Sequence, residues 1–312
     1  MERRSAQAPS AVVMVRPHHF WPNQETSSDN AFQQSADGCE REAVARSAYD
    51  EVTRACEDLQ AEGVCVHVFE DTSGQTPDSV FPNNWFSTHP GGHLAVYPMF
   101  APSRRAERRS DIIEMLKAQY RVQEVVDYSG LEHDGLFLEG TGSMVLDHLD
   151  RVAYAVRSNR LDPIALERFC SQFGYEPMVF EASDGQGTPV YHTNVLMCIA
   201  TDFVMICEDM IVDPARRREV VARFTQSGRQ VISLSAEQIA DFAGNALELQ
   251  GRHGRILALS SRAKSSLSPS QRRQIEQSVR MVPLAVPTIE MAGGSVRCMI
   301  AGIHLTGRSV HH

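Results

Sequence analysis

The sequence predicts an α/β fold built from five similar units, each two strands, a helix and a further strand. Three observations point there. A helical stretch runs directly into a β-branched, apolar strand five times, and the strands that follow the helices begin about 50–57 residues apart. Pairs of shorter apolar runs lie between them. Near-even spacing suits a pseudo-symmetric array, whereas the alternative, a plain three-layer α/β domain, alternates strands and helices without a fixed period.

The elements follow in order. The chain opens on "AVVMV" (11–15), a β-branched run of about five residues closed by Arg16-Pro17. It is too short for the apolar region of a signal peptide and reads as a first strand. Residues 40–62 read as a helix leading to "VCVHVF" (64–69). "WFSTH" and "HLAVYPM" are the next strand pair, followed by a helix at 104–119 and "RVQEVV" (121–126). "GSMVL" and "RVAYAV" precede a helix at 162–172 and "YEPMVF" (175–180). "TNVLMCIA" and "FVMI" precede a helix at 213–228 and "QVISL". "ALELQG" and "RILALS" precede a helix at 268–278 and "VRMVPLAV", and "MIAGIHL" (299–305) closes the chain as a last strand. Asp162-Pro163, Asp213-Pro214 and Ser268-Pro269 each place a capping side chain before a proline at the first helical position, so three helices share one start chemistry.

Nothing in residues 1–312 resembles a linker, so one domain is expected throughout. A net charge of −9 argues against nucleic acid and anionic membrane as partners, because both demand a basic face. No apolar stretch approaches the ~18–20 residues of a membrane span. The seven cysteines are an odd number at irregular spacing, with no CxxC pair and no HExxH elsewhere. Reduced thiols in the cytoplasm are therefore expected, with no metal and no other cofactor. The expected partner is a small molecule, and self-association into a homo-oligomer stays open.

Chemistry-bearing residues gather where strands begin. "PDSVFPNNWF" places Asn83 and Asn84 between an apolar run and a strand. Asparagines there ordinarily form turns. "LFLEGTG" ends an apolar stretch on Glu139, a carboxylate that must be paired or hydrogen-bonded if buried. "PVYHTNVLMCIA" sets His192, then Asn194, at the start of an almost wholly apolar strand, where a histidine is ordinarily a satisfied core residue. "FAGNALEL" sets Asn245 after a glycine, and "MAGGSVRCMIAGIHL" sets Cys298 after Gly293-Gly294. Glu139, His192 and Cys298 thus occupy matching positions in three units. Around a common axis they converge into a nucleophilic set, in which an imidazolium lowers the thiol pKa and returns a proton to the leaving group.

With these motifs the chain resembles the guanidino-group-modifying enzymes: arginine and agmatine deiminases, dimethylarginine dimethylaminohydrolases and glycine amidinotransferases. "GGSVRC" is similar to the Gly-Gly turn before the catalytic Cys of agmatine deiminases, "FLEGTG" to the "EGG" segment of the catalytic Glu, and "YHTN" to the segment of the catalytic His. "PDSVFPNNW" resembles the "DxVFxED" segment of dimethylarginine hydrolases, and "VRSNR" their "RTN" segment. The order Glu, His, Cys is also shared, and the resemblance spans nearly the whole chain. It implies the pentein, an α/β-propeller of five ββαβ units about a pseudo-fivefold axis, with Cys298, His192 and Glu139 as catalytic residues.

The departures indicate the substrate. Asn84 stands where the family usually has an Asp for the guanidinium, Asn194 stands where deiminases carry an Asp, and the acid of "EGGD" is absent from "EGTGS". A guanidinium is best held by carboxylates, whereas an amide, both donor and acceptor, suits a neutral ureido group. The resemblance therefore implies a hydrolase of the arginine-deiminase-related branch that takes citrulline to ornithine, ammonia and carbon dioxide. Asn83, Asn84, Asn194 and Asn245 would surround the ureido group. Arg157 of "VRSNR", with Arg16 as a weaker candidate, would grip the α-carboxylate. Arginine deimination, methylarginine hydrolysis and amidino transfer are the neighbouring alternatives. A non-enzymatic pentein, such as the ribosome anti-association factors of this fold, is the distant one, and it lacks the catalytic set.

Overall fold

The computed structural model describes residues 5–36 and 38–308. Its strands form five separate three-stranded sheets, and each sheet repeats one pattern. A first strand pairs antiparallel with a second, which after a helix pairs parallel with a third.

The two ends of the chain build one sheet together. β1 (Ala11–Pro17) runs parallel to β2 (Cys65–Asp71) across the helix Arg41–Ala61, and β15 (Ala301–Gly302) lies antiparallel to β1, with Val12 opposite Gly302 and Val13 opposite Ala301. The unit that began without a strand pair in the sequence is thus completed by the closing segment. β3 (Phe86–His89), β4 (His93–Val96) and β5 (Glu124–Asp127) form the second sheet, and β6 (Met144–Asp147), β7 (Val152–Val156) and β8 (Glu176–Phe180) the third. β9 (Met197–Ile199), β10 (Phe203–Ile206) and β11 (Gln230–Ser233) form the fourth, and β12 (Leu247–Gly251), β13 (Gly254–Ser260) and β14 (Arg280–Leu284) the fifth. This is the pentein arrangement. Residues of β3, β6, β9, β12 and β15 share one central cavity, so the first strand of each sheet lies next to the axis.

Helices cover the outside by burying one stripe. Arg41–Ala61 buries Val44, Ala48, Val52, Ala55 and Leu59, at the three- and four-residue steps that keep side chains on one face. The capping expected from Asp-Pro and Ser-Pro is present. Asp162 accepts from Ile164 N and Asp213 from Ala215 N, each at 2.8 Å, and Ser268 forms a capping box with Gln271. Among the described residues no helix is long and apolar enough to cross a membrane.

Two local expectations change. The stretch 104–119 is not one helix: a 3-10 segment, Pro102–Glu107, precedes the α-helix Ser110–Gln119. The break lets Arg104 turn inward to a buried cluster of carboxylates. The closing strand is also shorter than 299–305, because Val296–Met299 forms a single helical turn before β15. The same device occurs before β6 (Gly140–Ser143), before β9 (Thr193–Leu196) and, as a 3-10 turn at Pro82–Asn84, just ahead of β3. His192 therefore precedes a helical turn and does not enter a strand directly. These turns, clustered around the axis, carry the residues of the site.

Candidate active site

Cys298 sits on the turn Val296–Met299 and is buried. Two amides aim at its sulfur: Asn194 Nδ2 at 3.2 Å and Asn245 Nδ2 at 3.3 Å. The orientation of Asn245 is determined by its other contacts. Its Oδ1 accepts from Arg297 N at 2.9 Å and its Nδ2 donates to Asn194 O at 3.0 Å, so the amino group must face the thiol. Both amides therefore present N–H donors to the sulfur. Burial pushes the thiols of Cys56, Cys170 and Cys198 up to about 12 and raises that of Cys207, and none of the first three accepts from an amide side chain among the described residues.

His192 lines the same pocket as Cys298, and its Nε2 is 2.8 Å from Glu139 Oε2. Glu139 is fully buried and its Oε1 accepts from Phe100 N at 3.0 Å. Burial alone would raise its pKa, but Arg160, the His192 hydrogen bond and Arg104 together hold it down to about 2. Both guanidinium Nη1 atoms lie 3.6 Å from Oε2. For His192 burial dominates, and despite Glu139 its pKa falls to about 4. At neutral pH the pair is an ionised carboxylate beside a neutral imidazole that donates Nε2–H to it. That leaves Nδ1 with a lone pair. Gly142 makes this packing possible, since a Cβ there would meet His192 Nδ1 at 2.8 Å and collide with Asn84 Nδ2.

Asn84 also lines the pocket. Its Oδ1 accepts from Arg104 Nη1 at 2.9 Å; an arginine cannot accept, so Nδ2 is turned away from it and is buried with no protein partner. Asn194 is its complement: Nδ2 is spent on Cys298, and Oδ1 is buried with no protein partner. Orphaned polar atoms at two such positions call for an explanation, because each costs about 1–3 kcal/mol when left unmet.

Cys298, His192 and Asn84 line the pocket, Glu139 supports it through His192, and Asn194 and Asn245 reach it through the thiol. Asn83 is buried next to Asn84, and both of its side-chain polar atoms lack protein partners, but it does not line the pocket. Both arginines expected to bind a carboxylate lie elsewhere. Arg157 is exposed, because β7 continues past Val156 with Arg157 N bonded to Phe180 O, which points its side chain outward. Arg16 extends over Tyr49 and pairs with Glu70 at the surface.

The pocket arginines are Arg160 and Arg104, which the sequence reading did not nominate. Arg160 lies three residues beyond Arg157 in the same "VRSNR" segment; the Ser158–Leu161 bridge turns the chain and carries it inward. Its fork meets Asp29, with Nε to Oδ2 at 3.0 Å and Nη2 to Oδ1 at 2.6 Å, and its guanidinium lies 4.7 Å from the centre of the Tyr191 ring. Arg104 is held bidentately by Glu107 at 3.0 and 2.9 Å, and lies 3.6 Å from Asp78. Asp78 belongs to "PDSVFPNNW", so its motif was visible although its role was not.

Five ββαβ units with a buried Cys–His–Glu set at one end of the axis place the chain in the guanidino-modifying pentein superfamily. A family model described as N,N dimethylarginine dimethylhydrolase, eukaryotic, matches residues 16–305, and the chain belongs to that family. Among curated proteins, none matches the sequence. Solved structures share the fold at low identity. The N-terminal domain of ArgZ, an arginine dihydrolase from Cyanobacteria, superposes with a TM-score of 0.72 at 15% identity, covering 94% of this chain and 97% of that one. A cysteine-to-alanine mutant of AgrE with L-arginine gives 0.74 at 15% identity over 97% of this chain, which spans only 41% of AgrE. A dimethylarginine dimethylaminohydrolase adduct with S-methyl-L-thiocitrulline gives 0.61 at 14% identity, covering 95% and 100%.

Proposed function

We propose that this chain is a cysteine-dependent hydrolase of ureido amino acids, converting citrulline and water to ornithine, ammonia and carbon dioxide. One observation carries the reading. The thiol is supplied with amide donors; Asn84, which lines the pocket, has a donor without a protein partner, Nδ2, and Asn194, which donates to the thiol, has an acceptor without one, Oδ1. A ureido group has one carbonyl oxygen that needs a donor and N–H groups that need acceptors, and this pair matches it.

In the first step His192 Nδ1 takes the thiol proton, and Cys298 Sγ bonds to the ureido carbon. The imidazolium so formed is paired with Glu139 at 2.8 Å, which offsets the low proton affinity of the resting ring. His192 then passes the proton to the departing nitrogen as the C–N bond breaks, leaving a thiol-linked carbamoyl carbon. Water activated by His192 attacks that carbon, the C–S bond breaks and Cys298 is regenerated, and the carbamic acid released loses carbon dioxide, which breaks the second C–N bond. Arg160 takes the substrate α-carboxylate, which replaces Asp29 on its fork.

Chemistry on a guanidinium is the second reading, favoured by the ionised Glu139 that backs the pocket through His192. The AgrE structure with L-arginine and the family's dimethylarginine chemistry support the same class. Purified protein incubated separately with citrulline, arginine and dimethylarginine separates the two. Ornithine and ammonia from citrulline are expected. Citrulline formed from arginine or dimethylarginine, with citrulline itself untouched, overturns the ureido reading.

A further inference from the structure

Cys298 and its neighbour Arg297 face opposite ways. The thiol lines the pocket described above, while the Arg297 side chain lines a second cavity of about 40 Å³ along the axis, among the first strands of the five sheets. That volume holds about three waters or one small ion. The cavity is partly enclosed. Gln7 seals it with three fixed hydrogen bonds, from its Nε2 to Leu146 O and Ile199 O and from His148 N to its Oε1.

The lining carries one charged group, Arg297, beside His148 and His304, whose rings burial holds neutral at neutral pH, and among the described residues it contains no aspartate or glutamate. The Arg297 guanidinium donates to Ile300 O at 3.0 Å, and among the described residues no carboxylate lies within ion-pair distance of it. Burial pulls its pKa below the usual arginine range, the response of a cation removed from water without a neighbouring acid. The other enclosed arginines all have acids: Arg104 has Glu107, Arg160 has Asp29 and Arg229 has Asp147. The two histidine rings lie with their centres 4.0 Å apart, tilted by 32°, and His148 Nδ1 is 2.8 Å from the Tyr175 hydroxyl. With that hydroxyl donating, His148 keeps its own proton on Nε2 as a further donor. A cation enclosed without a counter-charge is strongly disfavoured.

We infer that this end of the channel binds a small monovalent anion, of the size of chloride or bicarbonate, with Arg297 as its principal partner and His148 and His304 beside it. The site is separate from the thiol pocket and independent of which substrate that pocket takes. The competing possibility is that the Cys298 thiolate is itself the counter-charge of Arg297.

The test uses the intact protein in sodium gluconate at constant ionic strength, with chloride, bromide or bicarbonate titrated in while melting is followed. A saturable rise in Tm of about 2–4 °C is expected. Whichever of chloride and bicarbonate saturates at the lower concentration is the natural ion. The rise should vanish in Arg297→Gln and shrink in His304→Asn. Crystals of the wild type soaked in bromide should show an anomalous peak within hydrogen-bond reach of Arg297, a readout that stands even if Arg297→Gln does not fold. Equal melting in all salts with no bromide peak in the channel overturns the proposal. So does an Arg297→Gln variant that shifts the pH profile of thiol alkylation while anion binding persists unchanged.

Discussion

Replacing Asn84 by Asp tests the substrate argument most directly. The change is nearly isosteric, and one carboxylate oxygen can keep the 2.9 Å contact with Arg104 Nη1, so the fold should tolerate it. The other oxygen replaces Nδ2, turning the unpartnered donor into a charged acceptor. For a ureido substrate the pocket loses a donor to the carbonyl oxygen on which charge develops, a loss worth about 2.7–4 kcal/mol, or 10²–10³ in kcat. The new carboxylate also shares Arg104 with Glu139, whose Oε2 lies 3.6 Å from the same nitrogen, so a neutral substrate leaves two like charges facing each other. For a guanidinium the same oxygen supplies a charge-assisted hydrogen bond worth about 1.5–3 kcal/mol. At tenfold per about 1.4 kcal/mol, the ratio of kcat/KM for citrulline to that for arginine should fall by at least about a thousandfold. The assay is initial-rate release of ornithine from citrulline and of citrulline or ornithine from arginine, with wild type and Asn84→Asp compared in parallel. An unchanged ratio, with the variant folded, would refute the idea that Asn84 reads the ureido oxygen.

Further predictions follow from the same geometry. Cys298→Ser should fold with a Tm near wild type and lose all measurable turnover, while a haloacetamidine-type reagent should label wild-type Cys298 ahead of the buried Cys56, Cys170 and Cys198; full activity in the serine variant would end the nucleophile assignment. Glu139→Gln keeps the shape but removes the charge that pairs with imidazolium, so kcat should drop by about 10²–10⁴, measured at saturating citrulline. Asn245→Ala removes one of the two amide donors at 3.2–3.3 Å from the sulfur, and iodoacetamide should alkylate the variant about tenfold more slowly at neutral pH. His192 bears a pH signature: the unfolded ring protonates near 6.5 and the folded one near 4, so its contribution is complete above about pH 6.5 and is lost as pH falls toward 4. The loss is on the order of 3 kcal/mol, and His192→Phe should flatten its share of the Tm decline in that window. Glu139 acts lower, its contribution being present above its ordinary value of 4.5 and lost as pH falls toward 2.

Much of this protein is legible without coordinates, because strands and helices announce themselves by local chemistry. β-branched runs, the Asp-Pro and Ser-Pro helix starts and the spacing of the units are properties of neighbouring residues, and they carry the five ββαβ units and the matching positions of Glu139, His192 and Cys298. What they cannot carry is direction. Arg157 and Arg160 share one short motif, and only the turn closed by Ser158 and Leu161 decides that Arg160 enters the pocket. Arg104 becomes a pocket residue because the expected helix breaks at Arg108, and its carboxylate partners come from three separate segments, at Asp78, Glu107 and Glu139. The amide orientations around Cys298 likewise depend on residues 51–104 positions apart in the chain. By itself the sequence determined the repeating architecture and which three side chains meet at the axis, since period and residue type are local. The tertiary structure alone decided which way Asn84 and Asn194 point, which arginines line the pocket and that Arg297 turns its charge into the central cavity, because hydrogen-bond direction and burial exist only once distant segments have packed.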